Sequence, residues 1–317
     1  MKRFFALVAA GFFAGALASA QTTSCSTAGT DNAFLGIQTI KLWPGDAPQA
    51  KGKACEDTPT LTIFSPRQGT ENGSAVVILP GGAYAVLAAD LEGREFADWF
   101  TARGFKAFVL AYRLSSKGYL LPVPLLDARR AVETVRARAT EYHVAPDRIG
   151  IIGFSAGGHL AALAGTKFVP GDPKATDPIE RVSSRPDFMI LGYPWLGAIS
   201  TDTSHLSYCQ LFKVMDQCEA LRAAYTPELF VSKGTPPTFI YHTFNDQTVP
   251  VETSLSFYSA LVKAGVPAEM HIFANGSHGS GLGKGDAALD AWPGLLENWL
   301  RAQGLLTVDK AARGAKP

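Results

Sequence analysis

The chain has 317 residues, 47% of them apolar and 18% charged, with 29 Lys and Arg against 28 Asp and Glu. That composition buries a full core and excludes a disordered or coiled-coil protein. A balance this even gives no electrostatic basis for binding nucleic acid or for stable association with an anionic membrane. The length fits one large domain or two ordinary ones.

The first twenty residues stand apart from the fold. Lys2 and Arg3 precede an uncharged run from Phe4 to Leu17, and Ala18-Ser19-Ala20 ends it with small residues at cleavage spacing. The pattern predicts a signal peptide over 1–20, cleaved near Ala20, and a secreted or periplasmic mature chain. The run is too short to span a bilayer, and no other stretch is long and apolar enough. In an oxidising compartment the even set Cys25, Cys55, Cys209 and Cys218 is expected to form disulfides. Of the three connectivities, Cys25–Cys55 with Cys209–Cys218 is favoured, the second pair clipping a local loop. Zinc is the rival reading, but no Cys-x-x-Cys or paired-histidine spacing supports it.

Strand and helix signals then alternate. Gln38–Trp43 and Thr60–Phe64 are short strand candidates, and Ala75–Leu79 is an apolar run ending at Pro80-Gly81-Gly82. Lys106–Arg113 is the next strand. Pro124–Glu141 carries a helical apolar stripe at Leu125, Ala128, Val132, Val135 and Ala139. Arg148–Gly153 reads as a buried strand followed by a small-residue helix over Ala156–Gly165. Asp187–Tyr193, Thr238–Thr243 and Ala268–Ala274 are strands; Val251–Ala264 and Ala287–Gln303 are helices. This rhythm predicts an α/β domain over 21–306, with a mostly parallel sheet covered on both faces. Residues 196–237 break the rhythm and are expected to be an insertion, a small lid, over one end of the sheet. Residues 307–317 form a polar, basic tail expected to be disordered.

The chemistry centres on Gly153-Phe154-Ser155-Ala156-Gly157, a Gly-x-Ser-x-Gly sequence between a strand and a helix. Such a turn is too tight for side chains at its flanking glycines and pushes the serine hydroxyl out at the carboxyl end of the sheet. A nucleophile needs a base, and the base needs an orienting acid. Of six histidines, His242 and His271 lie inside strand patterns and read as core residues, and His159 lies one turn into the helix after Ser155. His278, in Asn275-Gly276-Ser277-His278-Gly279, lies on a loop after the last strand, where an imidazole can reach the serine. Asp246 follows the strand before it. The order Ser155, Asp246, His278 is that of α/β-hydrolases. The loop Leu79–Tyr84 follows an apolar strand with small residues, so the N–H groups of Gly82, Ala83 and Ala156 are the expected oxyanion hole. No metal or organic cofactor is required by this chemistry.

The segments LPGGAY (79–84), YRL (112–114), PLLDARRAVETVRARA (124–139), DRIGIIGFSAGGHLAA (147–162), RPDFMILGYP (185–194), the run 236–273 and GSHGSGL (276–282) together resemble bacterial α/β-hydrolase esterases. The group is that of acetyl xylan esterases and bifunctional acetyl/feruloyl esterases, close to the acetyl-esterase branch of the hormone-sensitive-lipase relatives. The resemblance implies a serine esterase with Ser155, Asp246 and His278 as triad, acting on short acyl esters, acetyl foremost, of a small molecule or a polysaccharide such as xylan. Two departures bear on substrate preference: Ser280 stands where relatives often have an aromatic, and Ala83 where a third glycine is frequent. Tyr84 and Trp195 are the expected substrate-contacting aromatics, a core role being the alternative for Trp195. A feruloyl or general carboxylesterase, a serine peptidase and a non-catalytic ligand receptor on the same scaffold are the rival readings. Oligomeric state is not legible.

Overall fold

A computed structural model describes residues 37–201 and 205–307 of the chain. The expected signal peptide, Cys25 and the tail beyond 307 lie outside the described residues. Among the described residues eight strands form one sheet: β1 (Gln38–Lys41), β2 (Thr60–Phe64), β3 (Ala75–Leu79), β4 (Lys106–Ala111), β5 (Ile149–Phe154), β6 (Phe188–Gly192), β7 (Thr238–Thr243) and β8 (Ala268–Phe273). Their order is β1-β2-β4-β3-β5-β6-β7-β8. The β1/β2 and β2/β4 pairs are antiparallel and all others parallel. Strands β2, β3 and β5 to β7 are buried along their whole length, as apolar runs between two helical layers must be.

One layer holds α2 (Val123–Ala137), α3 (Ala156–Thr166) and α6 (Glu252–Lys263). Its core includes Leu125, Val132, Leu160, Leu163, Phe257 and Leu261. The other holds α1 (Glu95–Thr101) and α7 (Trp292–Ala302), which bury Phe96, Phe100, Trp292, Leu296 and Trp299. Helix α1 is absent from the sequence reading, since its seven residues make barely two turns and show little periodicity. The last helix begins at Trp292, not Ala287: the Asp286 carboxylate accepts the Ala288 N–H (2.9 Å), holding that segment in a turn, and Pro293 stands in the helix's first turn. Between β6 and β7 lie α4 (Tyr208–Leu211) and α5 (Cys218–Tyr225), joined by the disulfide Cys209–Cys218. Cys55 is also disulfide-bonded; its expected partner is among the residues not described.

The YRL and PLLDARR segments meet in a buried ion pair. The Arg113 guanidinium donates to Asp127 at 2.6 Å and to the Pro48 carbonyl at 2.6 Å, holding the N-terminal segment against α2.

Two features of the sheet decide where chemistry can occur. The chain leaves β3 to build β4 on one side, then crosses to β5 on the other, so a crevice opens between the carboxyl ends of β3 and β5. The registers Leu79↔Gly153, Phe154↔Gly192, Gly192↔Tyr241 and Thr243↔Phe273 then align the loops after β3, β5, β6, β7 and β8 along one edge.

Candidate active site

Ser155 occupies the turn from β5 into α3 with φ 50° and ψ −120°, outside the favourable regions for a residue with a side chain. The turn survives because its neighbours lack side chains. A Cβ on Gly153 would fall 2.1 Å from the Gly157 carbonyl oxygen, and one on Gly157 would fall 2.1 Å from that of Leu79. The Ser155 N–H donates to the Gly192 carbonyl (3.1 Å), and its own carbonyl accepts the N–H groups of His159 (3.0 Å) and Trp195 (2.9 Å). The hydroxyl is thereby aimed off the sheet edge.

The three side chains singled out in the sequence come together there. His278 Nε2 lies 2.9 Å from Ser155 Oγ, and His278 Nδ1 lies 2.7 Å from Asp246 Oδ2. An ionised carboxylate at Nδ1 fixes the tautomer: Nδ1–H donates to Asp246, leaving Nε2 to accept the serine proton. Asp246 collects further donors, the Thr248 and Val249 N–H groups on Oδ1 at 2.8 and 2.9 Å. Burial alone would raise its pKa, but the hydrogen bonds from His242, His278 and Val249 prevail and hold it well below the usual carboxylate range.

His242 is core, as the strand pattern suggested, yet it also belongs to this network. Its Nε2–H is shared between Asp246 Oδ2 (3.2 Å) and the Val249 carbonyl (3.1 Å), and its Nδ1 accepts the Ser254 hydroxyl proton (2.8 Å). The one available signal was a histidine four residues before the aspartate. His271 pairs with Glu269 on edge strand β8 (2.8 Å) and takes no part.

On the other side of the serine, the loop after β3 folds tightly, with the Gly82 carbonyl accepting the N–H groups of Ala85 (2.9 Å) and Val86 (3.0 Å). Gly82, Ala83 and Tyr84 all have positive φ. Among the described residues the amides of Gly82, Ala83 and Ala156 donate to no protein acceptor. The loop is tied underneath: the Tyr112 hydroxyl donates to the Pro80 carbonyl (2.7 Å), and the Glu92 carboxylate accepts the Gly81 N–H (2.7 Å).

The two aromatics expected to meet substrate are placed differently. Tyr84 is 0% exposed, because its positive φ turns the ring under the loop rather than into the crevice. There its hydroxyl donates to His159 Nδ1 (2.8 Å), and His159 Nε2–H donates to the Tyr225 carbonyl on α5 (2.9 Å). Burial pushes the His159 pKa down to about 4 against the opposing bond to Tyr225. Trp195 is 2% exposed, with Nε1–H donating to the Leu206 carbonyl (3.2 Å). Its edge borders a cavity of about 540 Å³, walled also by Leu196, Ile199, Leu206, Arg222 and Pro250. Ser280, the departure beside His278, hydrogen-bonds its hydroxyl to that of Tyr241 (3.1 Å).

An open, mostly parallel sheet, with a strained serine turn at its switch point and a carboxylate and an imidazole on the loops after its last two strands, defines the α/β-hydrolase class. Comparison with known proteins narrows this. A family model described as BD-FAE matches residues 61–173, and that of the prolyl oligopeptidase family matches residues 200–303. The acetyl ester-xyloside bifunctional hydrolase of Caldicellulosiruptor lactoaceticus is 36% identical and superposes over 84% of this chain and 97% of its own, with a TM-score of 0.75. A thermophilic esterase of the Planctomycetes species Thermogutta terrifontis, with propionate bound, is 27% identical over 86% of this chain and 97% of its own, with a TM-score of 0.68. An acetylxylan esterase of Xylanibacter ruminicola is 35% identical over 73% of this chain, and endo-1,4-beta-xylanase B of Butyrivibrio fibrisolvens 32% over 72%. The chain spans 46% and 36% of those two relatives. The chain belongs to the α/β-hydrolase esterases, the carboxylic ester hydrolases related to acetyl xylan esterases.

Proposed function

We propose that this protein is an exported serine esterase that removes short acyl groups, acetyl foremost, from carbohydrate esters such as acetylated xylan. One observation carries the reaction class: Ser155, His278 and Asp246 stand in hydrogen-bond sequence at 2.9 and 2.7 Å beside three unpaired amides. Ser155 Oγ attacks the ester carbonyl as His278 Nε2 takes its proton. Asp246 remains ionised, keeps the imidazole in its tautomer and stabilises the imidazolium. The carbonyl oxygen becomes an oxyanion facing the Gly82, Ala83 and Ala156 N–H groups, each such donor being worth about 10²–10³ in rate. His278 delivers the proton to the leaving alcohol, and water then cleaves the acyl-enzyme by the same relay in reverse.

The substrate class follows from the relatives, whose names specify acetylxylan, acetyl ester-xyloside and xylan chemistry. The 1–20 pattern supports export, and the Cys209–Cys218 disulfide agrees with an oxidising compartment.

The test is hydrolysis of p-nitrophenyl acetate, acetylated xylo-oligosaccharides, methyl ferulate and a prolyl peptide by the mature chain and by Ser155→Ala. The acetyl esters are the expected substrates, and the variant loses on the order of 10⁴ or more in rate. Full activity in Ser155→Ala removes the mechanism. Preference for methyl ferulate corrects the acyl group, and peptide cleavage corrects the reaction.

A further inference from the structure

Glu92 has no part in the proton relay, yet it is 3% exposed directly behind it. It lies in a π-helical turn, Ala89–Arg94, that leads into α1; such turns are frequent at functional sites. A buried carboxylate is costly unless its oxygens are satisfied. Those of Glu92 are satisfied by two groups from different sides of Ser155. Oε2 accepts the Gly81 N–H at 2.7 Å, and Oε1 accepts the Tyr193 hydroxyl proton at 2.6 Å.

The chain of contacts continues from Tyr193. Its oxygen accepts the Gly281 N–H at 3.1 Å, three residues beyond His278, and its ring packs edge-on against the imidazole with centroids 5.1 Å apart. The Gly281 carbonyl in turn accepts the Tyr241 hydroxyl (3.1 Å) and the Trp292 indole N–H (3.2 Å). Gly81 and Gly281 act here through backbone N–H groups, which only donate. Glu92 Oε2 and the Tyr193 oxygen therefore accept those two bonds, and the Tyr193 hydroxyl proton is free to go to Glu92 Oε1.

The fit is close. A Cβ on Gly81 would fall 2.7 Å from Glu92 Oε2, 2.7 Å from the Phe154 carbonyl oxygen and 3.0 Å from Ser155 Cβ. Gly81 precedes Gly82 and Ala83, whose amides face the substrate oxygen in the proposed reaction. Among the described residues no hydrogen bond runs directly from the loop after β3 to the loop carrying His278. Glu92, through Tyr193, supplies the connection.

We propose that Glu92 is a positioning residue that locks the loop bearing the Gly82 and Ala83 amides and the loop bearing His278 into one register around Ser155. The inference rests on the esterase reading above. Glu92→Gln keeps the shape, but with its oxygen on the Gly81 N–H its NH₂ meets the Tyr193 hydroxyl, which must reverse to accept and whose own proton loses its acceptor, so the link between the two loops is weakened. Because sub-ångström to 1 Å displacement of reacting groups costs up to about 10²-fold, the expected loss in kcat is about 10- to 100-fold with KM nearly unchanged.

The experiment measures kcat and KM on p-nitrophenyl acetate per active site, with sites counted by fluorophosphonate labelling carried to completion. Inhibition by phenylboronic acid, whose serine adduct is tetrahedral, is measured in parallel. For Glu92→Gln the boronate affinity is expected to fall by about the same factor as kcat/KM, since both report the tetrahedral geometry. Tyr193→Phe, which retains the ring and loses only the hydroxyl, shows a smaller loss in the same direction. The double variant is no worse than Glu92→Gln, because the two act as one unit. A purely structural role would lower the number of labelled sites and leave kcat per site and boronate affinity within about twofold of wild type, and that result overturns the proposal. If Glu92→Gln does not fold, Tyr193→Phe decides: unchanged kcat and boronate affinity overturn the proposal equally. Ser155→Ala separates the two levels. An inactive Ser155→Ala with unchanged Glu92 and Tyr193 variants sinks this inference alone, whereas an active Ser155→Ala sinks the esterase reading beneath it.

Discussion

The turn that carries Ser155 and the loops that carry Asp246 and His278 meet at one rim, but they are held there by different means. On the serine side the backbone does the holding. The β3/β5 register, the bare Gly153 and Gly157 and the Ser155 N–H on the Gly192 carbonyl fix the hydroxyl with hardly a side chain involved. On the acid–base side the anchors are side chains. Asp246 gathers His278, His242 and two amides; the Thr243 hydroxyl donates to the Gly276 carbonyl (3.1 Å); and Asn245 Oδ1 accepts the Gly276 N–H (3.0 Å). The serine side is therefore vulnerable to added atoms, the acid–base side to deleted hydrogen bonds. Substitutions on the second side should reduce activity while leaving the fold and the serine in place.

Asp246→Asn puts the largest load on that distinction. Two donors face each carboxylate oxygen, and because the Thr248 and Val249 amides cannot reverse, an Asn places its NH₂ against His278 and His242 and drives His278 to the wrong tautomer. The expected loss is about 10⁴ in kcat, with the melting temperature changed far less than that loss suggests. Measured kcat within tenfold of wild type would mean that the imidazole is oriented by something other than this carboxylate.

A second test lies under the loop after β3, where the serine side has, besides the ties from Tyr112 and Glu92, a buried side-chain link from Tyr84 to His159 to the Tyr225 carbonyl. With its folded pKa pushed down to about 4, His159 stays neutral in the native protein while an unfolded histidine takes up a proton near 6.5. The unfolded state thus binds more protons between these values, so stability falls as the pH drops from about 6.5 toward 4. This one group is expected to remove about 2 kcal/mol between pH 7 and pH 5. Urea unfolding of wild type and His159→Gln at both pH values checks it: the wild type should lose about 2 kcal/mol more than the variant. Parallel losses would show that His159 is not held neutral.

What could be read from the sequence follows the same division. The serine turn was legible because steric demands leave local marks: an apolar strand, small residues at fixed spacing, then a helix. The sheet was legible for the same reason, since doubly buried strands are continuous apolar runs. Helix α1 was not, because seven residues carry too little periodicity, and the start of α7 was misplaced because the Asp286 turn precedes Pro293. Tyr84 is expected from the sequence to face substrate; its positive φ, which no residue type there announces, points it inward. The Glu92–Tyr193 and His242–Asp246 contacts had no strong local signature. The first joins residues 101 apart in the chain, and the second places a core strand histidine against a loop carboxylate only once the turn after β7 is formed.

His242 offers the finest test of how the acid–base side is held. Replacing it with Leu, close to it in volume, removes the 3.2 Å donor to Asp246 and leaves Ser254 Oγ and the Val249 carbonyl without their partner. Asp246 keeps its two amides and His278, so the relay is weakened rather than abolished. A hydrogen bond to a charged group contributes about 1.5–3 kcal/mol, and part of the loss is absorbed by the three remaining donors, so kcat should fall about tenfold with KM nearly unchanged. Some stability is lost as well, because two buried polar atoms become unsatisfied. Counting labelled serines separates the two effects. If the drop in activity merely follows the drop in labelled sites, His242 supports the fold only; if kcat per labelled site falls, the donor on the far side of Asp246 helps to set the orientation of an imidazole that it never touches.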